Sequence, residues 1–484
     1  MKAGVDFDLS LVSLAVICLC VGLCAEAADN SPTIFRAGFA RVDITPPVGT
    51  SIPGYYLRRI SEGVRDPLEA SAIAFDDNHM KAVLVAVDNL HIQNDVIALA
   101  KAEIAVRTKI DPVAILIHSS HTHTGGDTLR KLCPGLGMKP EDMTAITNYV
   151  NLLVRRLGEV AEAAVADLAP ATLAVGTTEL KRHAFIRTYL MKDGKVRTNP
   201  GVGNKDILRP IGTPDETLQL ARFIRIDGKP EIDVINFQNH PDVIGGRKVS
   251  ADWVGAARRT MERMTDGVKC IVLNGTQGDL NHVIVDPRPG EVVRDTYANA
   301  QNMGRMVAAA AMTIWGRCDP MPTGRLHSAY ESLYLPANKA NPEELVLARK
   351  YLKAHVEGRR GEIPFTGMDY VTAVADASRK VDLENAPDRF VAYISDLSIG
   401  RTLAFAGFPG EPFCDIGRRV RAQSPYKMTM AMCLTNGTIG YFPTDEAHEH
   451  AGYEAKTSRY GPGTADALVN GQLTLLNKMI RWRQ

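Results

Sequence analysis

The stretch from Ile117 to Asp127, reading Ile-His-Ser-Ser-His-Thr-His-Thr-Gly-Gly-Asp, gathers imidazoles, hydroxyls and glycines in one place. It starts from a short branched run, residues 114–117, of the kind that forms a buried strand. If the strand persists, His121 and His123, two apart, share one face of the sheet. Two imidazoles at a strand end, followed by a Gly-Gly turn that admits backbone closely, suit a metal-centred site. A polar strand end with solvated histidines is the plainer alternative.

Three further strand ends carry suggestive residues. An alternating segment, 234–237, delivers His240 just before Pro241 stops it; alone, such a histidine is as readily structural. Glu411 follows Pro409 and Gly410 and reads as opening a helix through Arg418, where the helix dipole favours a carboxylate in any case. Tyr441 lies in the loop 436–444, with Tyr453 and Glu454 downstream; aromatics at a loop mouth also serve packing.

Positioning these residues requires a mixed α/β scaffold. Strands are expected at 35–44, 72–75, 82–87, 114–117, near 173, and at 222–226, 233–237, 270–273, 390–398, 402–405 and 428–434. A hairpin is expected near 325–335. Helices are expected at 96–108, 251–263, 297–314, 342–354 and 465–481, with a long amphipathic one at 142–166. In that long helix Ile146, Val150, Leu153, Leu157, Val160 and Ala164 recur at helical spacing. Strands and helices alternate with several hairpins, so the expected architecture is a layered sheet with packed helices and not a simple Rossmann array.

Taken together, the fragments resemble the catalytic domain of the neutral ceramidases. His121-Thr-His-Thr-Gly125, His240-Pro241, Phe408-Pro-Gly-Glu411 and the Tyr441/Tyr453-Glu454 pair occur in that family's order, after a similar opening at Ala37 to Pro46. The resemblance implies a secreted zinc amidohydrolase that cleaves the N-acyl bond of ceramide-like sphingolipids. It implies one Zn2+ held by His121, His240, Glu411 and Tyr441. His123 is then a proton-transfer group, and Arg187 and Tyr453 steady the developing oxyanion, with Arg182 an alternative to Arg187. One position departs from the pattern. Asn281 stands where the family has its nucleophilic serine, and an amide cannot serve as a covalent nucleophile. Water is then the expected nucleophile, with Asn281 orienting substrate, unless a neighbouring hydroxyl such as Thr276 substitutes. Two other readings stay open: a zinc hydrolase of the same fold acting on an acylated sugar or small metabolite, and a metal-binding protein without catalysis. No immunoglobulin-like domain is expected after the catalytic one.

Composition bounds the partners. With 45% hydrophobic and 23% charged residues and a formal net charge of +1, the chain lacks the basic surplus that holds nucleic acid. The expected partner is a small-molecule or lipid substrate, with transient contact at a membrane surface; the sequence does not specify an oligomeric state. An apolar run at 9–23 followed by Ala25-Glu26-Ala27 reads as a signal peptide, residues 1–27, leaving a catalytic domain over 28–484 exported to the periplasm or beyond. Five cysteines remain, Cys133, Cys270, Cys318, Cys414 and Cys433, an odd and scattered set that allows at most two bridges.

Overall fold

Alternating small and large apolar residues give the early strands two buried faces, and helices and a second sheet cover them. The computed structural model describes residues 34–132, 137–291 and 296–481. The segment read as a signal peptide, and Cys133, lie outside the described residues. The large sheet contains β1 (Arg36–Asp43), β2 (Glu69–Asp76), β3 (Lys81–Val87), β4 (Ile115–Ser119), β5 (Ala169–Glu179), β6 (Thr217–Arg225), β7 (Ile232–Phe237), β8 (Lys269–Asn274) and β9 (Asp319–Met321). Its order is β8-β7-β6-β5-β1-β2-β3-β4, with β9 pairing onto β5. A four-stranded sheet follows: β10 (Leu326–Pro336), β11 (Arg389–Ile399), β12 (Leu403–Gly407) and β13 (Met428–Met432), adjacent in that order. The helices are α1 (Asn94–Thr108), α2 (Pro140–Ala166), α3 (Asp252–Met264), α4 (Tyr297–Trp315), α5 (Pro342–Val356), α6 (Gly367–Asp382), α7 (Cys414–Gln423), α8 (Asp445–His450), α9 (Tyr453–Thr457) and α10 (Thr464–Arg481).

Side-chain alternation fixes the layers. Gly38 pairs with Ala74, and a Cβ on Gly38 would lie 2.2 Å from the carbonyl of Ala164, so this face is pressed against α2. Ala37 pairs with Phe75, which faces the other way and meets Phe405 of β12 with ring centroids 6.2 Å apart. In β12 the pattern repeats: Leu403 and Phe405 join the core between the sheets, while Ala404 joins a second core with Ile416 of α7 and Leu468 and Leu475 of α10. The result is helix, sheet, sheet, helix, the mixed α/β layering expected. One expectation fails. Residues 325–335 form the single strand β10, whose partner β11 lies beyond the α5–α6 helical pair; apolar residues on both sides of an expected turn read as two short strands. Among the described residues, Cys270, Cys318, Cys414 and Cys433 are free thiols, and no helix is long and apolar enough to cross a membrane.

One buried group makes stability depend on pH. Asp396 of β11 is fully buried and accepts hydrogen bonds from Gln472 and from the Gly407 amide. Burial outweighs these bonds and pushes its carboxyl up to about 8. The folded chain therefore keeps a proton that the unfolded chain releases above about pH 4. Stability falls as pH rises from about 4 to about 8, by at most about 1.4 kcal/mol per unit from this group. Asp396→Asn is expected to flatten that slope in urea unfolding across the window. An unchanged slope would assign the pH dependence to other groups.

Candidate metal centre

Within the two larger sheets three strand pairs are parallel, β3 with β4, β7 with β8, and β12 with β13. Their carboxyl ends converge, and crevices at such ends are where sheets of this kind place ligands. His121 and His123 follow β4, His240 follows β7, Gln277 and Asn281 follow β8, Glu411 follows β12 and Tyr441 follows β13. The two sheets are stitched here. The Asn436 amide donates to Ile117 O at 2.8 Å and the Cys433 amide to Asn274 O at 3.3 Å.

The route to this convergence differs from the expected one. β4 ends at Ser119, so strand alternation does not align the two histidines. Instead the chain bends. Ser120 and His121 donate their amides to Val87 O and Asn89 O at 2.9 and 2.8 Å, and His121 takes the left-handed conformation, φ +73°. That conformation is uncommon for a residue with a Cβ and is held by its surroundings. The Gly-Gly turn does admit close approach: a Cβ on Gly126 would sit 2.2 Å from the Tyr149 ring. Glu411 also differs. It lies in a two-residue strand, Glu411–Pro412, paired in parallel with Tyr441–Phe442, and α7 begins only at Cys414. That pairing sets Glu411 directly beside Tyr441. Gly278 permits it, since its amide donates to Pro412 O and a Cβ there would come within 2.5 Å of Glu411 O.

At the centre, His121 Nε2 lies 3.1 Å from His240 Nε2 and 3.1 Å from Glu411 Oε2, and His240 Nε2 lies 3.9 Å from that same oxygen. His121 Nδ1–H donates to Leu90 O at 2.9 Å, which leaves Nε2 facing inward. Burial, reinforced by the Arg187 charge, holds His240 neutral with its pKa well below the usual imidazole value. Burial would raise Glu411, but His121 and Arg187 outweigh it and hold the carboxylate down at about 2. Gln277 donates to the same carboxylate oxygen at 3.2 Å. Two imidazoles and an ionised carboxylate, converging and buried, form a donor set that fits zinc. His123 stands beside them: one ring nitrogen from each of His121, His123 and His240 lies within 4.8 Å of the others. Burial of Tyr441, next to the Glu411 charge, raises its phenol well above the usual value.

No family model and no curated protein matches the chain. Solved structures do. One is neutral ceramidase from Pseudomonas aeruginosa, similar over 93% of this chain and 75% of that one, with TM-score 0.69 and 19% identity. Another is a ceramidase complexed with C2, similar over 93% of this chain and 77% of that one, with TM-score 0.67 and 17% identity. The fold is that of the neutral ceramidases.

On this ceramidase fold the remaining predicted residues gather around the three donors. A short bridge pairs Phe185 with Asn281 and Ile186 with Leu280, bringing Arg187 in beside them. Arg187 Nη2 donates to Gly278 O at 2.7 Å, its Nε lies 2.7 Å from Glu454, and its guanidinium stands 5.5 Å from the Tyr441 ring centroid. Arg182 is tied to Glu291 instead. Tyr453 packs edge-on against Tyr441 and shares a 2.6 Å hydrogen bond with Tyr56. Asn281 donates to Asn199 at 2.7 Å and accepts from the Val283 amide at 3.1 Å, so its amide is braced by the chain. Thr276 is fully buried, and its hydroxyl is pressed against Gly417 of α7.

Four contributors escaped sequence reasoning. Gln277 orients the Glu411 carboxylate. Glu454 fixes Arg187, and its position next to Tyr453 was the available signal. Asp242, two residues after His240, lies 3.6 Å from His123 Nδ1 and accepts a hydrogen bond from Tyr55. Tyr55 and Asp242 thus form one wall of the centre, although the Tyr55-Tyr56 pair carries no motif. The Arg187–Glu454 pair invites a test. Glu454 is 1% exposed and also accepts from Thr188, so Glu454→Ala strands a buried guanidinium. The expected loss is about 3–5 kcal/mol in denaturant unfolding. A change under about 1 kcal/mol, the range of exposed pairs, would show that the pair is not isolated from solvent.

Proposed function

We propose that the protein is an exported zinc-dependent hydrolase that cleaves the acyl–amide bond of an amphiphile such as a ceramide, with water as nucleophile. The observation that carries this reading is the convergence of His121, His240 and Glu411, with His240 lining a cavity of about 680 Å3 that is walled on one side by apolar residues and on the other by His123, Tyr441 and Tyr453. A zinc ion held by His121, His240, Glu411 and Tyr441 supplies a Lewis acid that lowers the pKa of water and polarises a carbonyl.

The chain's own residues do the rest. His123 is buried and neutral, with no hydrogen-bond partner on either ring nitrogen, and so is free to take the proton of the attacking water and hand it to the leaving amine. Arg187, fixed by Glu454, and Tyr453, fixed by Tyr56, are donors for the oxygen that gains charge. Asn281 braces the wall and forms no acyl intermediate. Val356 and Met368 line the apolar cavity while 69% and 40% exposed, which supports transient contact of its mouth with a lipid surface. The N-terminal apolar segment supports export.

Metal analysis and hydrolysis of a short-chain fluorescent ceramide test the reading together. About one zinc per chain with release of the fatty acid is expected. Zinc without cleavage would keep the centre and reject ceramide. A chain that binds no zinc would reject the hydrolase.

A further inference from the structure

The metal centre opens onto two cavities of nearly equal size and opposite chemistry. The apolar one, about 680 Å3, is walled by Leu57, Leu352, Val356, Met368, Val371 and Val374. The second, about 660 Å3, is walled by Arg65, Asn199, Asn281, His282, Thr296 and Tyr297. Tyr55, Arg187, Asn199, His240 and Asp242 belong to both, so the cavities meet at the centre itself. Either volume alone is that of a complete small-molecule site. A substrate whose scissile bond lies at His240 therefore has room for a substantial group on each side.

The second cavity specifies what that group is. It presents two side-chain amides, a hydroxyl and an imidazole, which together both donate and accept hydrogen bonds, and two aromatic rings, Tyr55 and Tyr297. Its charges balance. Arg187 is neutralised by Glu454 at 2.7 Å, and beside Arg65, which stands over the Tyr297 ring at 5.4 Å, the lining also carries the carboxylate of Asp242. A phosphate or carboxylate finds no surplus of positive charge there. Mixed donors and acceptors between aromatic faces suit the hydroxyls and C–H faces of a neutral polyol.

We infer that the substrate is an acylated amino sugar or comparable amino polyol, with the acyl chain in the apolar cavity and the polyhydroxylated group in the polar one. This rests on the hydrolase reading above. In the reaction the oxygen of water bonds to the acyl carbon, the C–N bond breaks, and the amine leaves with a proton from that water, giving a fatty acid and a free amino polyol.

Calorimetric titration with octyl glucoside and with 1,2-octanediol, each below its micelle concentration, separates head from chain. The glucoside is expected to bind about tenfold or more tightly than the diol. Ala298→Trp, on the exposed first turn of α4 at the rim of the polar cavity, is expected to bring that ratio to about one with diol affinity unchanged. Tyr297→Ala, which removes an aromatic face, is expected to lower the ratio too. Equal affinities in the wild type, or a ratio that survives both substitutions, would overturn the assignment. Turnover is read separately, on N-octanoylglucosamine against N-octanoylethanolamine by the zinc-loaded protein, and faster cleavage of the glucosamide is expected. Cleavage of neither amide, with the glucoside preference intact, would overturn the hydrolase reading and leave the polar cavity as a polyol-binding site.

Discussion

His121→Ala is expected to empty the centre. The imidazole supplies the one nitrogen that stands 3.1 Å from both His240 and Glu411, and it is 3% exposed. Zinc content should drop from about one per chain to about a tenth or less after desalting. Hydrolysis should fall by about a thousandfold or more, the several kcal/mol that a Lewis acid supplies to the transition state. The substitution also leaves the Glu411 carboxylate buried without its closest partner, so a lower melting temperature should accompany the loss. Full zinc content with undiminished turnover would place the reactive centre elsewhere in the molecule.

His123→Ala is expected to separate chemistry from metal binding. His123 lies within 4.8 Å of both other histidines, close enough to be a further ligand, yet it also lies 3.6 Å from Asp242 and lines the apolar cavity. Acting as the proton carrier, its removal should lower kcat by about a hundredfold to ten-thousandfold, with KM changed little and zinc retained. Loss of zinc in parallel with activity would make it a ligand instead. The two variants thus give different signatures, one losing metal and the other keeping it.

Much of the scaffold was legible because its elements are long and periodic. The apolar stripe of α2, the alternating β7 and the hairpin of β2 and β3 announce themselves by spacing alone. The site was legible as a set of residue types, since histidines, a glutamate and tyrosines at strand ends stand out from apolar runs. Its geometry was not. The backbone bend at His121 depends on amides answering Val87 and Asn89, and the place of Glu411 depends on pairing with Tyr441 thirty residues later. Such long-range backbone bonds leave no local pattern. Arg187 could be told from Arg182 only once Glu454 and Glu291 had claimed one each. Asp242 was invisible for a similar reason, because its meaning comes from Tyr55, which lies far away in the sequence.

The strand ends that supply the centre run from His121 to Tyr441 and belong to both sheets. Their contacts are almost all distant in sequence, the kind that form late when a chain folds. An ion bound there is a rivet through finished work: it finds its donors only after both sheets have paired. Its binding energy then adds to the stability of the whole molecule, in proportion to the logarithm of free metal over the dissociation constant. Metal supply would then set the working lifetime of this protein as well as its rate, and a chelator would act on it as a denaturant.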